Sequence, residues 1–234
     1  MNRKKKNHEI YDLPAVCLAG CRFTTCPPPV WRVYDYRFTN VDLQCWRINL
    51  SELERDIVRV LFDSVAIEKR VAEMGKEISE AYEEAVPLLV GVLKGCTMFM
   101  SDLIKHIKIP LEMDFIAVSS YHGTQPSNGA VRIVKDLDNA IEGRDLLVIE
   151  GIVDTGMTVG YILRNLLARQ PKSIRLCTFL DKPARRIVNV PIDFCGYEIP
   201  DKFVVGYGLD FLQLYRNLPY IGILKDQVTG LEKT

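Results

Sequence analysis

The sequence predicts an α/β fold: a mostly parallel central sheet with helices on both faces. Three observations predict it. Runs at 87–93 and 145–153 are apolar on both faces, as strands buried between helical layers require. Segments with helical spacing alternate with such runs. The strand-like runs end on polar or glycine-bearing groups, Lys94-Gly95, the stretch 150–158 and Asp181-Lys182. In open parallel sheets, ligands sit beyond the carboxyl ends of the strands.

The chain has 234 residues, which suits one domain, or one domain with an extension. Hydrophobic residues make up 48% and charged residues 26%, the composition of a globular protein that folds without staples. Lys plus Arg and Asp plus Glu balance at 30 each, which argues against a broad polyanion-binding face and against nucleic acid as a partner. An anionic substrate would then need a local site. The basic run Arg3, Lys4, Lys5, Lys6 reads as a solvated tail. No stretch reaches the ~20 apolar residues that span a bilayer, so no membrane association and a cytoplasmic location are expected. Of seven cysteines, Cys96, Cys177 and Cys195 stand singly in apolar runs and read as buried, reduced thiols. Cys17, Cys21, Cys26 and Cys45 lack a paired C-x2-C, which argues against zinc.

Residues 1–50 differ from the rest. They carry Pro27-Pro28-Pro29, which blocks helix and central strand alike. They read as a poorly ordered extension of unknown role, ahead of one domain over 51–234. Ser51 followed by Glu54 fits a capping box. Ile67, Val71, Met74 and Ile78 predict an amphipathic helix over 66–82. The buried strand 87–93 follows, then a helix over 97–107 and a strand over 111–119. Residues 121–130 are rich in Gly, Ser, Asn and Pro and predict a loop, with a return strand at 131–135. A strand over 145–153, a helix over 159–169 stopped by Pro171 and a strand over 173–180 complete the alternation. Residues 192–224 hold short β-like runs between Gly and Pro.

The segment from Glu150 to Thr158 is the most informative. A carboxylate in a buried strand is costly unless it is paired, hydrated or at the strand's edge. After it, Asp154-Thr155-Gly156-Met157-Thr158 opens a helix. A helix N-terminus leaves about four backbone N–H groups free, and they suit phosphate. Gly156 permits close backbone approach, while Thr155 and Thr158 add hydroxyls. The loop therefore predicts a phosphate site flanked by carboxylates. Those acids must face sugar hydroxyls, a metal or a base, because they repel the phosphate itself.

The acidic strand followed by Asp-Thr-Gly-x-Thr resembles the phosphoribosyl-pyrophosphate motif of type I phosphoribosyltransferases. Other segments narrow the resemblance to the hypoxanthine-guanine members, over about residues 54–228. The resemblance implies the type I phosphoribosyltransferase fold, with a small C-terminal hood mainly over 183–215. It implies that Glu150, Asp154, Thr155, Gly156, Met157 and Thr158 hold the ribose and 5′-phosphate. The run 90–95 is similar to the family's pyrophosphate loop. It implies a cis Leu93–Lys94 peptide, with Lys94, Gly95 and Arg216 on pyrophosphate. Ser120 and Tyr121 match a lid that excludes water from the reacting centre. Lys182 is implied to contact the purine 6-oxo group, Phe203 to stack on the base and the Val204 backbone to read its Watson–Crick edge. Asp210 and Glu150 are the implied ligands of Mg2+. The family forms dimers or tetramers, so a homo-dimer or homo-tetramer is expected.

The implied reaction joins hypoxanthine or guanine to phosphoribosyl pyrophosphate, with Asp154 as general base. The sequence departs from the family at Gly151, where most members place a second acid beside the first; activity is expected to survive on Glu150 and Asp154. Met157 is a lesser departure, at a position that presents mainly backbone. Two other readings stay open at this point: a xanthine- or orotate-specific enzyme of the same fold, and an idle member that binds RNA.

Overall fold

The computed structural model describes residues 50–120 and 131–230. The expected extension falls outside the described residues except for Leu50, and the expected loop at 121–130, Tyr121 included, lies wholly outside them.

The elements run α1 (Leu50–Arg55), β1 (Ile57–Phe62), α2 (Ser64–Ala81), β2 (Leu88–Leu93), α3 (Thr97–His106), β3 (Glu112–Ser120), β4 (Val131–Lys135), β5 (Asp145–Val153), α4 (Met157–Leu167) and β6 (Ser173–Asp181). A 3-10 turn (Pro183–Arg185), β7 (Phe194–Glu198), β8 (Val204–Val205), β9 (Ile221–Leu224) and α5 (Asp226–Thr229) follow. Among the described residues they form a six-stranded sheet ordered β4-β3-β2-β5-β6-β7 and a three-stranded sheet ordered β1-β9-β8. In the large sheet only β4 runs antiparallel to its neighbour. The expected fold class is the observed one.

Strand periodicity builds the two faces. Leu88, Val90 and Val92 of β2 and Leu146 and Val148 of β5 point to one side. There they meet Val159, Ile162, Leu163 and Leu166 of α4. Leu89, Leu147 and Ile149 point to the other, against Ile67, Val71, Met74 and Ile78 of α2 and Phe99, Met100 and Leu103 of α3. Burying each such side chain contributes about 1.5–3 kcal/mol, so the sheet and its helices depend on one another.

Several boundaries differ from the sequence reading. Ser51 lies inside α1 rather than capping it. The cap belongs to α2: Asp63, in extended geometry, accepts the Ala66 N–H at 2.8 Å. α4 begins at Met157, two residues before the expected start, because Gly156 adopts the left-handed conformation directly ahead of it. The expected hood span 183–215 holds the 3-10 turn, β7 and β8. β7, within that span, is the edge strand of the large sheet, while β1 and β9, outside it, pair with each other and with β8. Cys96 and Cys177 are buried free thiols, but Cys195 is only half-buried.

The chain order places β2 between β3 and β5, so successive strands turn to opposite sides at the β2/β5 boundary. That switch point aims the loops after β2 and β5 at one crevice. No helix among the described residues is long and apolar enough to cross a membrane.

Candidate active site

A cavity of about 300 Å3 opens at this switch point. Lys94 and Gly95 after β2, Glu150, Ile152 and Asp154 on β5 and beyond, and Lys182 after β6 line it. Phe203, Val204, Leu209, Asp210 and Arg216 close it from the small sheet and its loops. The three strand ends singled out in the sequence thus meet in one place.

The loop after β5 is held by backbone bonds. Gly156 has φ +79°, and a Cβ there would stand 2.3 Å from the Val188 carbonyl oxygen, so only glycine fits. The Thr155 carbonyl accepts N–H bonds from Ile187 (2.9 Å) and Val188 (3.0 Å). Thr155 Oγ1 accepts the Met157 N–H at 3.4 Å, and Thr158 stands in the first turn of α4. The Met157 side chain is exposed.

Asp154 and Lys182 face each other. Asp154 Oδ1 is buried and has no hydrogen-bond partner among the described residues. Its Oδ2 lies 3.3 Å from an Arg185 guanidinium nitrogen and 4.0 Å from Lys182 Nζ. Lys182 is 4% exposed, and burial pulls its ammonium below the usual lysine range, partly opposed by Asp154. An unpartnered acceptor and a buried, poorly solvated donor on one wall are an arrangement that awaits a polar ligand.

Glu150 lies on the cavity floor, 9% exposed, and its Oε1 accepts the Gly151 N–H at 2.9 Å. Burial pushes its carboxyl up to about 8, which the N–H groups of Gly151 and Ile152 only partly offset. Gly151 stands where a second acid is missing, and a Cβ there would come within 2.8 Å of the Gly95 carbonyl oxygen, so any side chain would need the 93–95 turn to shift. Gly208, at φ +94°, presses on the same oxygen, with a Cβ distance of 2.6 Å. The Leu93–Lys94 peptide is cis, as the resemblance implies.

On the opposite rim, Arg216 pairs with Asp210 at 2.6 Å and donates to the Gly208 carbonyl at 2.7 Å. Gln213 joins this cluster. Its N–H donates to Asp210 Oδ2 at 2.9 Å, and its Oε1 accepts from Lys94 Nζ (3.4 Å) and Arg216 (3.3 Å). Phe203 meets Phe211 edge-on at 5.4 Å, and its carbonyl accepts the Leu224 N–H. Val204 pairs with Ile223 in the small sheet.

All the expected site residues among 94–95, 150, 154–158, 182, 203–204, 210 and 216 therefore gather around the cavity or the loop beside it. Tyr121 and the Ser120 side chain lie outside the described residues. The sequence reading missed Arg185, Arg186 and Gln213. The adjacent Arg185-Arg186 pair directly after Lys182-Pro183 was the available signal.

Comparison with known proteins shows the family of the chain. A model of the phosphoribosyl transferase domain matches residues 59–212. A hypoxanthine-guanine phosphoribosyltransferase of Bacillus subtilis is 51% identical over 176 residues, covering 75% of this chain and 98% of the relative. Its namesake in Streptococcus pyogenes serotype M3 is 44% identical, with the same coverage. The crystal structure of a hypoxanthine phosphoribosyltransferase from Staphylococcus aureus superposes with a TM-score of 0.73 at 46% identity, over 77% of this chain and 98% of that one.

Proposed function

The chain belongs to the phosphoribosyltransferase family, and on that footing we propose that it salvages purines. It moves the phosphoribosyl group of phosphoribosyl pyrophosphate onto hypoxanthine or guanine and releases pyrophosphate. The observation that carries this reading is the meeting of Asp154, Lys182 and the Lys94-Gly95 turn in one cavity.

In this reading the backbone N–H groups at the start of α4 and the hydroxyls of Thr155 and Thr158 grip the 5′-phosphate. Glu150 faces the ribose hydroxyls, alone because Gly151 has no side chain. Phe203 stacks on the base, and the Val204 backbone reads its Watson–Crick edge. Lys182 donates to the 6-oxo group. A purine ring nitrogen forms the bond to the anomeric carbon as that carbon's bond to pyrophosphate breaks. The proton displaced from the purine goes to Asp154, whose Oδ1 has no other partner among the described residues. Ser120 and Tyr121 are assigned to the lid.

The departing group is received by the N–H groups near Lys94-Gly95 and by Arg216, which must release Asp210 to reach it. The donors fit a hard divalent cation: the Asp210 and Glu150 carboxylates both line the cavity. Among the described residues no three His, Cys, Asp or Glu side chains form a metal cage, so substrate oxygens would complete the coordination. Held by Asp210 and Glu150, Mg2+ would supply positive charge against the leaving pyrophosphate. Cytoplasmic residence and a homo-dimer or homo-tetramer, measurable by light scattering, belong to the same proposal.

The test is direct. The full chain is mixed with phosphoribosyl pyrophosphate, Mg2+ and one of hypoxanthine, guanine, xanthine or adenine, and nucleotide and pyrophosphate are measured. Hypoxanthine and guanine should react and adenine should not. Failure with all four sinks the proposal. Lys182→Ala should weaken the preference for hypoxanthine over adenine by about 100-fold, because a site built around one hydrogen bond discriminates through the group left unpaired.

A further inference from the structure

We propose that Arg186 is a positioning residue that registers the purine-reading strand end against the phosphate loop. The proposal rests on the function argued above and extends it to a residue outside the cavity lining.

Arg186 follows the 3-10 turn after Lys182, and its side chain is 15% exposed. Its guanidinium bonds to two strand ends at once. One terminal nitrogen pairs with the Asp181 carboxylate, on a side chain only 11% exposed, at the last residue of β6. Nε donates to the Asp154 carbonyl at 3.2 Å, beyond the end of β5. The side-chain stem lies against the phosphate loop, since a Cβ on Gly156 would stand 3.1 Å from Arg186 Cδ. The next two residues, Ile187 and Val188, both donate to the Thr155 carbonyl.

These bonds place Arg186 between the two groups that must agree in position. Asp181 is the chain neighbour of Lys182, the assigned reader of the base. The Asp154 carbonyl belongs to the peptide that opens the phosphate loop and also sets the direction of the Asp154 side chain. A guanidinium presents several donors in a rigid plane and holds both acceptors together. An ammonium at the same place is a single point donor and holds only one well. Bond formation needs purine and sugar in register, and a misplacement of about 1 Å costs on the order of 100-fold.

The experiment uses the full chain and measures kcat, KM for phosphoribosyl pyrophosphate, KM for hypoxanthine and Tm. Arg186→Met keeps the stem and removes the donors. It should raise both KM values and lower kcat by about 100-fold, the cost of a site out of register. Arg186→Lys keeps the pair with Asp181, so KM for hypoxanthine should return close to wild type while KM for phosphoribosyl pyrophosphate stays high. Asp181→Asn, which keeps the bond to the Asp154 carbonyl, should do the reverse. A role confined to stability would lower Tm and total activity and leave both KM values alone; that result, or a Lys variant that restores both equally, overturns the assignment. If Arg186→Met does not fold, the opposed KM effects of Arg186→Lys and Asp181→Asn decide it. An inactive wild type defeats the functional reading as well, whereas an active wild type with unchanged variants defeats only the role of Arg186.

Discussion

The two sides of the cleft are built by different means. On the side assigned to ribose, 5′-phosphate and base, the strand ends of β5 and β6 are tied together by backbone bonds and by the Arg186 guanidinium. Glu150 and Lys182 are buried, and the Thr155 carbonyl takes two N–H bonds from the segment after β6. On the side assigned to pyrophosphate, Lys94, Asp210, Gln213 and Arg216 stand on turns and hold one another by side-chain bonds. Asp210 and Arg216 are each about a quarter exposed. The difference matches the part of the substrate that the proposed function gives each side. On the proposed function, what stays bound through the reaction would meet buried strand ends, and what departs would meet side chains that pair with one another.

Substitutions can break or sharpen that contrast. The largest effect is expected from Asp154→Asn, which should lower turnover about 10²–10⁴-fold, the range for a lost general base. Its affinity for the nucleotide product, measured by calorimetry, should hardly change; an equal loss of binding and turnover would remove Asp154 from the chemistry. Gly156→Ala comes next. A methyl group at φ +79°, 2.3 Å from a carbonyl oxygen, must distort the loop, so KM for phosphoribosyl pyrophosphate should rise about tenfold with a loss of about 1–3 kcal/mol in stability. A normal KM would show that the loop is less rigid than the contrast requires.

Asp210→Asn probes the side assigned to pyrophosphate. Partly exposed ion pairs are worth about 0–1 kcal/mol, so Tm should barely move while the magnesium needed for half-maximal rate rises severalfold. A large fall in Tm would erase the distinction between the two sides. The smallest effect is on pH dependence. Burial raises the Glu150 carboxyl from 4.5 to about 8 in the folded chain. Its contribution to stability is whole below the unfolded value and is lost as pH rises through about 8. Glu150→Gln carries no charge, so its Tm relative to wild type should climb between pH 6 and pH 9. A flat difference would mean that Glu150 is solvated in the folded protein.

The centre of the large sheet was legible in the sequence because β2 and β5 are short runs buried on both faces between helical segments. β1 was not. Val58 and Val60 are exposed, Arg59 stands between them, and the partner β9 comes from the far end of the chain. The Ser51 cap failed for a related reason: a capping pattern marks what a residue can do, whereas Ser51 lies inside α1 and the cap is made by Asp63 at the start of α2. Among site residues, Asp154, Lys182 and Asp210 were legible because a local motif carries each. Arg186 and Gln213 were not, since the groups they bond to, Asp181 and the Asp154 carbonyl or Lys94 and Asp210, are brought together only by folding. The departure at Gly151 was visible in the sequence, but its closeness to the Gly95 carbonyl arises only on folding.

That carbonyl has a consequence for how the chain can evolve. Gly151 and Gly208 approach it from β5 and from the turn after β8, so two parts of the chain constrain one oxygen. A lineage acquiring a carboxylate at position 151 would have to let the 93–95 turn settle farther from β5. Position 151 and the 93–95 turn are therefore coupled: a side chain at one is accommodated only by a movement of the other.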